Sequence, residues 1–145
     1  MGDKKLEVRW FKGSKNLKDG LELRKKVFVG EQDVPEDMEI DEFDKDCDHI
    51  VIYRDKAVVA VGRIIFDNSK CFFGRIAVAK EYRGTGLGKI LVTEMLKKAV
   101  EDGVREVFIH AQAYAQKFYE KLGFEAYGEK FDEAGIEHVS MSIRI

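Results

Sequence analysis

Residues 83–88 read Arg-Gly-Thr-Gly-Leu-Gly, and they follow an apolar run that ends Ile76-Ala77-Val78. A strand, a short loop, a glycine cluster and then a helix is an arrangement suited to anions. The first turn of a helix has N–H groups with no internal partner and lies at the positive end of the dipole. Glycine there removes the Cβ atoms that would hold an anion away. Gly84, Gly86 and Gly88, with the backbone of Thr85 and Leu87 between them, form such a segment, a candidate cradle for phosphate or pyrophosphate. Arg83 adds a permanent cation with a forked donor set. Two commoner phosphate motifs fail here. A P-loop ending at Gly88 needs glycine where Arg83 stands and Ser or Thr where Ile90 stands. A dinucleotide fingerprint needs a third glycine where the chain has Lys89. On spacing alone, a tight turn without a ligand remains the alternative.

The second chemical feature is an acidic stretch. Residues 31–48 hold ten carboxylates (Glu31, Asp33, Glu36, Asp37, Glu39, Asp41, Glu42, Asp44, Asp46 and Asp48) against one base, Lys45. The stretch carries −9 and the whole chain −2, which leaves +7 for the remaining residues. An EF-hand is excluded because Asp41, Asp44 and Asp46 lack the loop's spacing and its glycine. A solvated surface and a negative rim that attracts a cationic amine both remain open. Overall charge is near balance, which argues against a nucleic-acid binder. Cys47 and Cys71 cannot build a disulfide framework, and no close Cys/His set suggests zinc. No metal is expected. No run approaches a membrane span, and Met1–Leu6 has neither a signal-type apolar core nor the Ser or Thr that myristoylation wants at Leu6. The expectation is a cytoplasmic protein without a membrane partner.

The elements that must position these residues follow from periodicity. With 145 residues, 45% of them hydrophobic, the chain has enough apolar matter for one domain, 1–145. Leu6–Phe11 alternates as a strand. Leu17, Leu21, Val27 and Phe28 share a helical face within 17–32, with Lys and Arg placed elsewhere, and Pro35 marks the exit. His49–Tyr53 and Ala57–Phe66 read as a hairpin around Arg54-Asp55-Lys56, and Cys71–Ala79 as the next strand. Gly86–Val100 is helical, with Gly103 as its stop. Val104–Ala111 is a strand, and Tyr114–Leu122 a short helix ended by Gly123. Phe124–Phe131 and Glu137–Ile145 are the last strands. The order is β-α-(α)-β-β-β-α-β-α-β-β, a mixed α/β sheet with helices packed on it.

Arg83-x-x-Gly86-x-Gly88 after Ile76-Ala77-Val78 resembles the acyl-CoA-binding block of the GNAT N-acetyltransferase superfamily. Gln112-x-x-Ala115-x-x-x-Tyr119-Glu-Lys-Leu-Gly-Phe124 resembles its next block, which usually opens with Asn rather than Gln112. Further stretches around Leu23–Gln32, Glu39–Asp44, His110–Gln112 and Phe131–His138 are similar to the small bacterial ElaA-like or YjcF-like branch. The resemblance implies an α/β fold with a mostly antiparallel sheet of about six to seven strands, splayed in the middle and flanked by about four helices. It implies acetyl-CoA as co-substrate and a small-molecule primary amine as acceptor, in a monomer or homodimer. Pyrophosphate would sit on the N–H groups of Arg83 through Gly88. Pantetheine would pair with Ile76, Ala77 and Val78, and also meet Gln112.

The resemblance also places Tyr119 where the family has its general acid, and packing alone is the other reading of that residue. The base has several candidates. His110 shares a strand face with Gln112, and imidazole suits proton abstraction near neutrality. Glu31, Glu39 and Asp41 are rivals, and His138 and Glu133 are lesser candidates that would also shape the acceptor pocket. Peptide or protein acetylation, and a non-catalytic acyl-CoA sensor, are the competing functions. The acidic stretch suggests a cationic acceptor.

Overall fold

Alternation along residues 50–53 sends Ile50 and Ile52 to one face of a sheet and Val51 and Tyr53 to the other, and both faces are covered by helix. The computed structural model describes residues 6–13, 17–39 and 41–145. The Met1–Lys5 portion of the N-terminal reading lies outside the described residues, and so does the side chain of Leu17. The strands are β1 (Leu6–Lys12), β2 (Asp48–Arg54), β3 (Ala57–Asp67), β4 (Lys70–Val78), β5 (Glu106–Gln112), β6 (Glu125–Glu133) and β7 (Ile136–Arg144). They form one sheet in the order β1-β2-β3-β4-β5-β7-β6. Every neighbouring pair is antiparallel except β4 and β5.

Helix α3 (Leu87–Glu101) covers one face. Its buried stripe of Leu87, Leu91, Val92, Met95 and Ala99 packs with Ile50, Ile52, Val107, Ile109 and Met141. Each such large side chain, fully withdrawn from water, contributes about 1.5–3 kcal/mol. Helix α1 (Leu17–Arg24) covers the other face of the N-terminal half. It continues as wider π-helical turns over Lys25–Glu31. A regular helix over 17–32 was expected. The wider turns place Val27 and Phe28, which are adjacent in sequence, both in the core beside Leu23 and against Val51, Val61 and Ala77. Gln32 N–H closes the last wide turn onto Val27 O at 3.1 Å, and the left-handed Asp33 (φ 56°) precedes the Pro35 exit. Arg24 departs from the expected polar face: it is 2% exposed.

The acidic stretch folds as a four-residue helix, α2 (Glu36–Glu39), and a 3₁₀ turn (Glu42–Lys45). Asp41 caps that turn, accepting from Phe43 N–H, while Asp44 accepts from Asp41 N–H. Helix α4 (Gln116–Lys121) follows β5 through a 3₁₀ turn at Ala113–Ala115.

The feature that builds a site is a break in β4. Val61 pairs with Ala77, but Arg63 pairs with Gly74, so β4 carries one extra residue there. Arg75, at φ 45°, takes up the bulge. A bulge bends its strand and sharpens the twist. Pairing between β4 and β5 covers only Cys71–Phe73 against Val107–Ile109 and stops where the bulge begins. Beyond it the two parallel strands diverge, so the sheet is splayed in the middle.

Candidate active site

The wedge between the diverging strands opens into a cleft of about 670 Å³. One wall is β4 from Phe72 to Val78, and the other is β5 from Ile109 to Gln112. Tyr119 of α4 and Phe28 of the π-helical turn also line it, and Glu133 and His138 close one end. Of the residues singled out from sequence, Ile76, Ala77, Val78, Arg83, His110, Gln112 and Tyr119 all line this cleft. The glycine turn stands beside it. Gly84 and Gly86 are left-handed, at φ 78° and 87°, and a Cβ on either would meet no atom within 4 Å. Both therefore present open backbone at the start of α3, where an acyl-CoA pyrophosphate would fit. Gly88 serves packing instead, since a Cβ there would come within 3.2 Å of the Phe118 ring. Thr85 is bonded locally, its hydroxyl donating to Tyr82 O. Leu87 points into the core.

Arg83 is already engaged. Its Nε donates to Val78 O at 3.0 Å, and its Nη1 meets Glu31 Oε1 at 2.7 Å. Glu31 thus faces the glycine turn from the end of the π-helical segment, outside the cleft lining. The next residue, Gln32, exchanges hydrogen bonds with the Gln112 side chain and donates to Tyr114 Oη at 3.1 Å. Gln112 reaches across the splay to the α1 side, a role its longer arm allows.

Tyr119 is 8% exposed and stands edge-on to Phe118 and Phe124, with ring centroids 5.0 and 5.7 Å away. Burial first, then the neighbouring Tyr114, pushes its hydroxyl far above the ordinary phenol range. It stays protonated at any physiological pH, which suits a donor of a hydrogen bond to developing negative charge.

The acidic stretch is corrected by the structure. Glu39 is 1% exposed, and its Oε1 accepts from Arg24 Nε at 2.6 Å. It lies outside the cleft lining and is withdrawn as a candidate base. Asp44, also 1% exposed, accepts from Arg24 at 2.8 Å and from Arg63 at 2.8 Å. Asp41 takes two bonds from Arg63, both 2.7 Å, and its side chain is 30% exposed at the cleft. Burial alone would raise the Asp44 carboxyl, but bonding and charge from Arg24, with the charge of Arg63, hold it at about 2. Asp41 is lowered too, with Arg63 overcoming burial. Glu36 and Asp48 pair with Lys25 and Lys12. Glu39, Asp41 and Asp44 neutralise buried arginines, whereas Glu31, Asp33, Glu36, Glu42 and Asp46 are exposed. Arg63 was missed as a partner from sequence, although its position in the apolar run Val58–Ile65 was a signal: a cation inside a strand of a core must find carboxylates. The acidic groups that do line the cleft are Asp41, Asp67 and Glu133.

His110 and His138 flank Glu133. His110 Nδ1 lies 4.0 Å from Glu133 Oε1, and His138 Nε2 lies 3.8 Å from Glu133 Oε2. Asp44, Cys47 and His49 bring ligand-type atoms within 4.8 Å of one another. Asp44 is held there by two guanidiniums, and His49 Nε2 donates to Asp44 O at 3.0 Å, so these atoms are engaged in internal bonds.

The acetyltransferase (GNAT) domain family matches residues 16–145. The uncharacterized N-acetyltransferase YjcF of Bacillus subtilis is 37% identical over 131 residues, which is 90% of this chain and 94% of that one. The crystal structure of an acyl-CoA N-acyltransferase from Pseudomonas aeruginosa superposes with a TM-score of 0.86 at 30% identity, covering 96% and 99% of the two chains. That of Escherichia coli ElaA gives 0.85 at 29%, with the same coverage. The chain belongs to the GNAT acetyltransferase family, whose chemistry is acyl transfer from acyl-CoA. Among the described residues no helix is long and apolar enough to cross a membrane.

Proposed function

We propose that this protein transfers an acetyl group from acetyl-CoA to a primary amine, with both substrates in the cleft together. The observation that carries the reading is the splay itself: a 670 Å³ cleft between β4 and β5 that has the open, left-handed Gly84 and Gly86 beside one end and Tyr119 on its wall. The glycine turn and Arg83 would take the pyrophosphate. The free edge of β4 at Ile76, Ala77 and Val78 would pair with the amides of the pantetheine arm. Bound acetyl-CoA supplies an activated thioester. The Tyr119 hydroxyl would donate a hydrogen bond toward the departing sulfur, and backbone N–H groups of β4 past the bulge, which β5 does not pair, would polarise the thioester carbonyl.

The cleft lining combines Phe28, Phe43 and Phe72 with the acidic Asp67 and Glu133, and it also holds Arg75 and the Arg63–Asp41 pair. Asp67 and Glu133, beside the aromatic rings, would hold a cationic amine with some apolar body, and they replace the acidic loop as the reason to expect a positive acceptor. The test is release of free CoA thiol from acetyl-CoA in the presence of a panel of small amines and lysine peptides. We expect turnover with cationic small amines, weakened by salt because exposed charges are screened over about 8–10 Å. Turnover confined to peptides would move the acceptor class to proteins. CoA binding without turnover on any acceptor would make the protein a sensor.

A further inference from the structure

We propose that His138 is the general base of the transfer, and that Glu133 and His110 carry its proton to solvent. This rests on the acetyl-transfer reading above and assigns the proton acceptor that the reading requires. His138 lies on β7 opposite Gln112, level with the part of β5 that has parted from β4. It is 6% exposed, yet it lines the cleft. Its ring is stacked on Phe131, with centroids 5.8 Å apart and planes at 26°. Its Nδ1 lies 2.7 Å from Ile136 O. A carbonyl only accepts, so Nδ1 carries the hydrogen and Nε2 presents a lone pair. Packing and one hydrogen bond therefore fix both the orientation and the tautomer of a buried base.

The Glu133 contacts are too long for hydrogen bonds, at 3.8 and 4.0 Å. Neutral His138 is thus free to accept a proton, and the imidazolium it becomes has a carboxylate at hand. Glu133 and His110 are about half exposed, with side chains 52% and 45% accessible, so the chain leads from a buried nitrogen to water. The other groups that bear on the pH response are Tyr114 on the adjoining turn and, across the cleft, Tyr119, Asp41, Asp67, Arg63 and Arg75. The two arginines keep one charge throughout.

The protons balance as follows. An acceptor ammonium gives one proton to His138 Nε2. The amine nitrogen then forms its bond to the acetyl carbon as the carbon–sulfur bond breaks. The second nitrogen proton passes to sulfur, and the Tyr119 hydroxyl keeps its own proton while hydrogen-bonding to the departing sulfur. Ammonium and acetyl-CoA become acetamide, CoA thiol and one proton, and that last proton leaves His138 once the imidazolium draws the Glu133 carboxylate into hydrogen-bond range, from which it passes to water or His110.

The experiment uses the full chain and the variants H138Q, E133Q and H110Q. Nitrogen NMR of the unliganded wild type should show His138 as the Nδ1–H tautomer. An Nε2–H tautomer overturns the proposal. In wild type, kcat/KM for the amine should stay level as pH falls below the amine's own pKa, because the ammonium is the form that hands its proton to His138. H138Q can use only the free amine, so it should lower kcat roughly 100- to 10,000-fold, make kcat/KM fall about tenfold per pH unit below the amine's own pKa and leave CoA affinity by calorimetry unchanged. E133Q, at an exposed side chain, should lower kcat while folding normally, which keeps the test valid if H138Q unfolds. H110Q should show a smaller loss that imidazole buffer restores. Wild-type rates and slopes in folded H138Q, or in E133Q if H138Q does not fold, overturn the relay alone. A wild type inactive on every acceptor overturns the transfer reading and the relay with it.

Discussion

Tyr119 does two jobs with one side chain. Its ring fills space between Phe118 and Phe124, and its hydroxyl faces the cleft. The raised hydroxyl pKa makes full proton transfer to a thiolate uphill, so in the proposed transfer its contribution would be a strong hydrogen bond completed only as the sulfur departs. Tyr119→Phe keeps the ring and deletes the donor. We expect kcat to fall about 10- to 1000-fold with donor KM little changed, measured by steady-state thiol release. Because the hydroxyl is shifted upward from about 10, any alkaline limb below that pH belongs to another group. The motif residues were readable from sequence because glycine and tyrosine are placed by local spacing. Gly88 shows where such reading fails: its motif position suggests a phosphate contact, but what excludes a side chain is the Phe118 ring, thirty residues on. Long-range packing of that kind leaves no mark in a local pattern. Gly86→Val separates the two uses of glycine. A Cβ at residue 86 meets no neighbour, so the cost to folding is backbone strain of about 1–2 kcal/mol. We expect a folded variant that has lost CoA binding by calorimetry.

At the scale of elements, the strands other than β6 and the two longer helices follow the hydrophobic period, because each covers a face that its own residues announce, whereas β6 is exposed along its length apart from Phe131. The bulge in β4 was not readable. Gly74-Arg75-Ile76 looks like ordinary strand, and the extra residue exists only relative to the Arg63–Gly74 register with β3. The π-helical segment was equally hidden, since its widening answers the shape of the sheet beneath it. That segment ends in a strap across the donor side, with Glu31 on Arg83 and Gln32 on Gln112. Glu31 occupies the guanidinium that pyrophosphate would use. Glu31→Gln should therefore tighten CoA binding by up to about fivefold, the measure of an exposed ion pair. A fall in kcat with unchanged CoA affinity would instead return Glu31 to the list of proton acceptors.

At the scale of the whole molecule, the separation of charge that sequence shows between residues 31–48 and the rest is largely closed by folding. Arg24 from α1 and Arg63 from β3 reach Glu39, Asp41 and Asp44, while Arg75 from β4 lies 3.7 Å from Glu39. The cluster ties the acidic loop to both the helix and the sheet beside the cleft. Buried ion pairs of this kind add little against apolar replacements, but removing one partner strands a charge and costs about 3–5 kcal/mol. Asp44→Asn should lose about that much in denaturant unfolding. The pH response follows from the same site. Asp44 has a folded pKa near 2, below its unfolded value near 3.8, so its stabilisation is present above pH 3.8 and is lost as pH falls toward 2. His49 is held below its ordinary 6.5 by burial first, with Arg24 and Arg63 adding to it. The unfolded chain therefore takes up that proton first, and stability declines as pH drops below 6.5. The melting temperature should be flat between about pH 7 and pH 8, before the unfolded chain begins to ionise Cys47 and Cys71, whose thiols burial pushes up to about 11 in the fold. It should slope down once below 6.5 and again, more steeply, below 4. His49→Gln should remove the first slope and leave the second. Asp44→Asn should start from a lower melting temperature and soften the second. Identical pH profiles in both variants and wild type would show that this cluster does not set the acid stability of the fold.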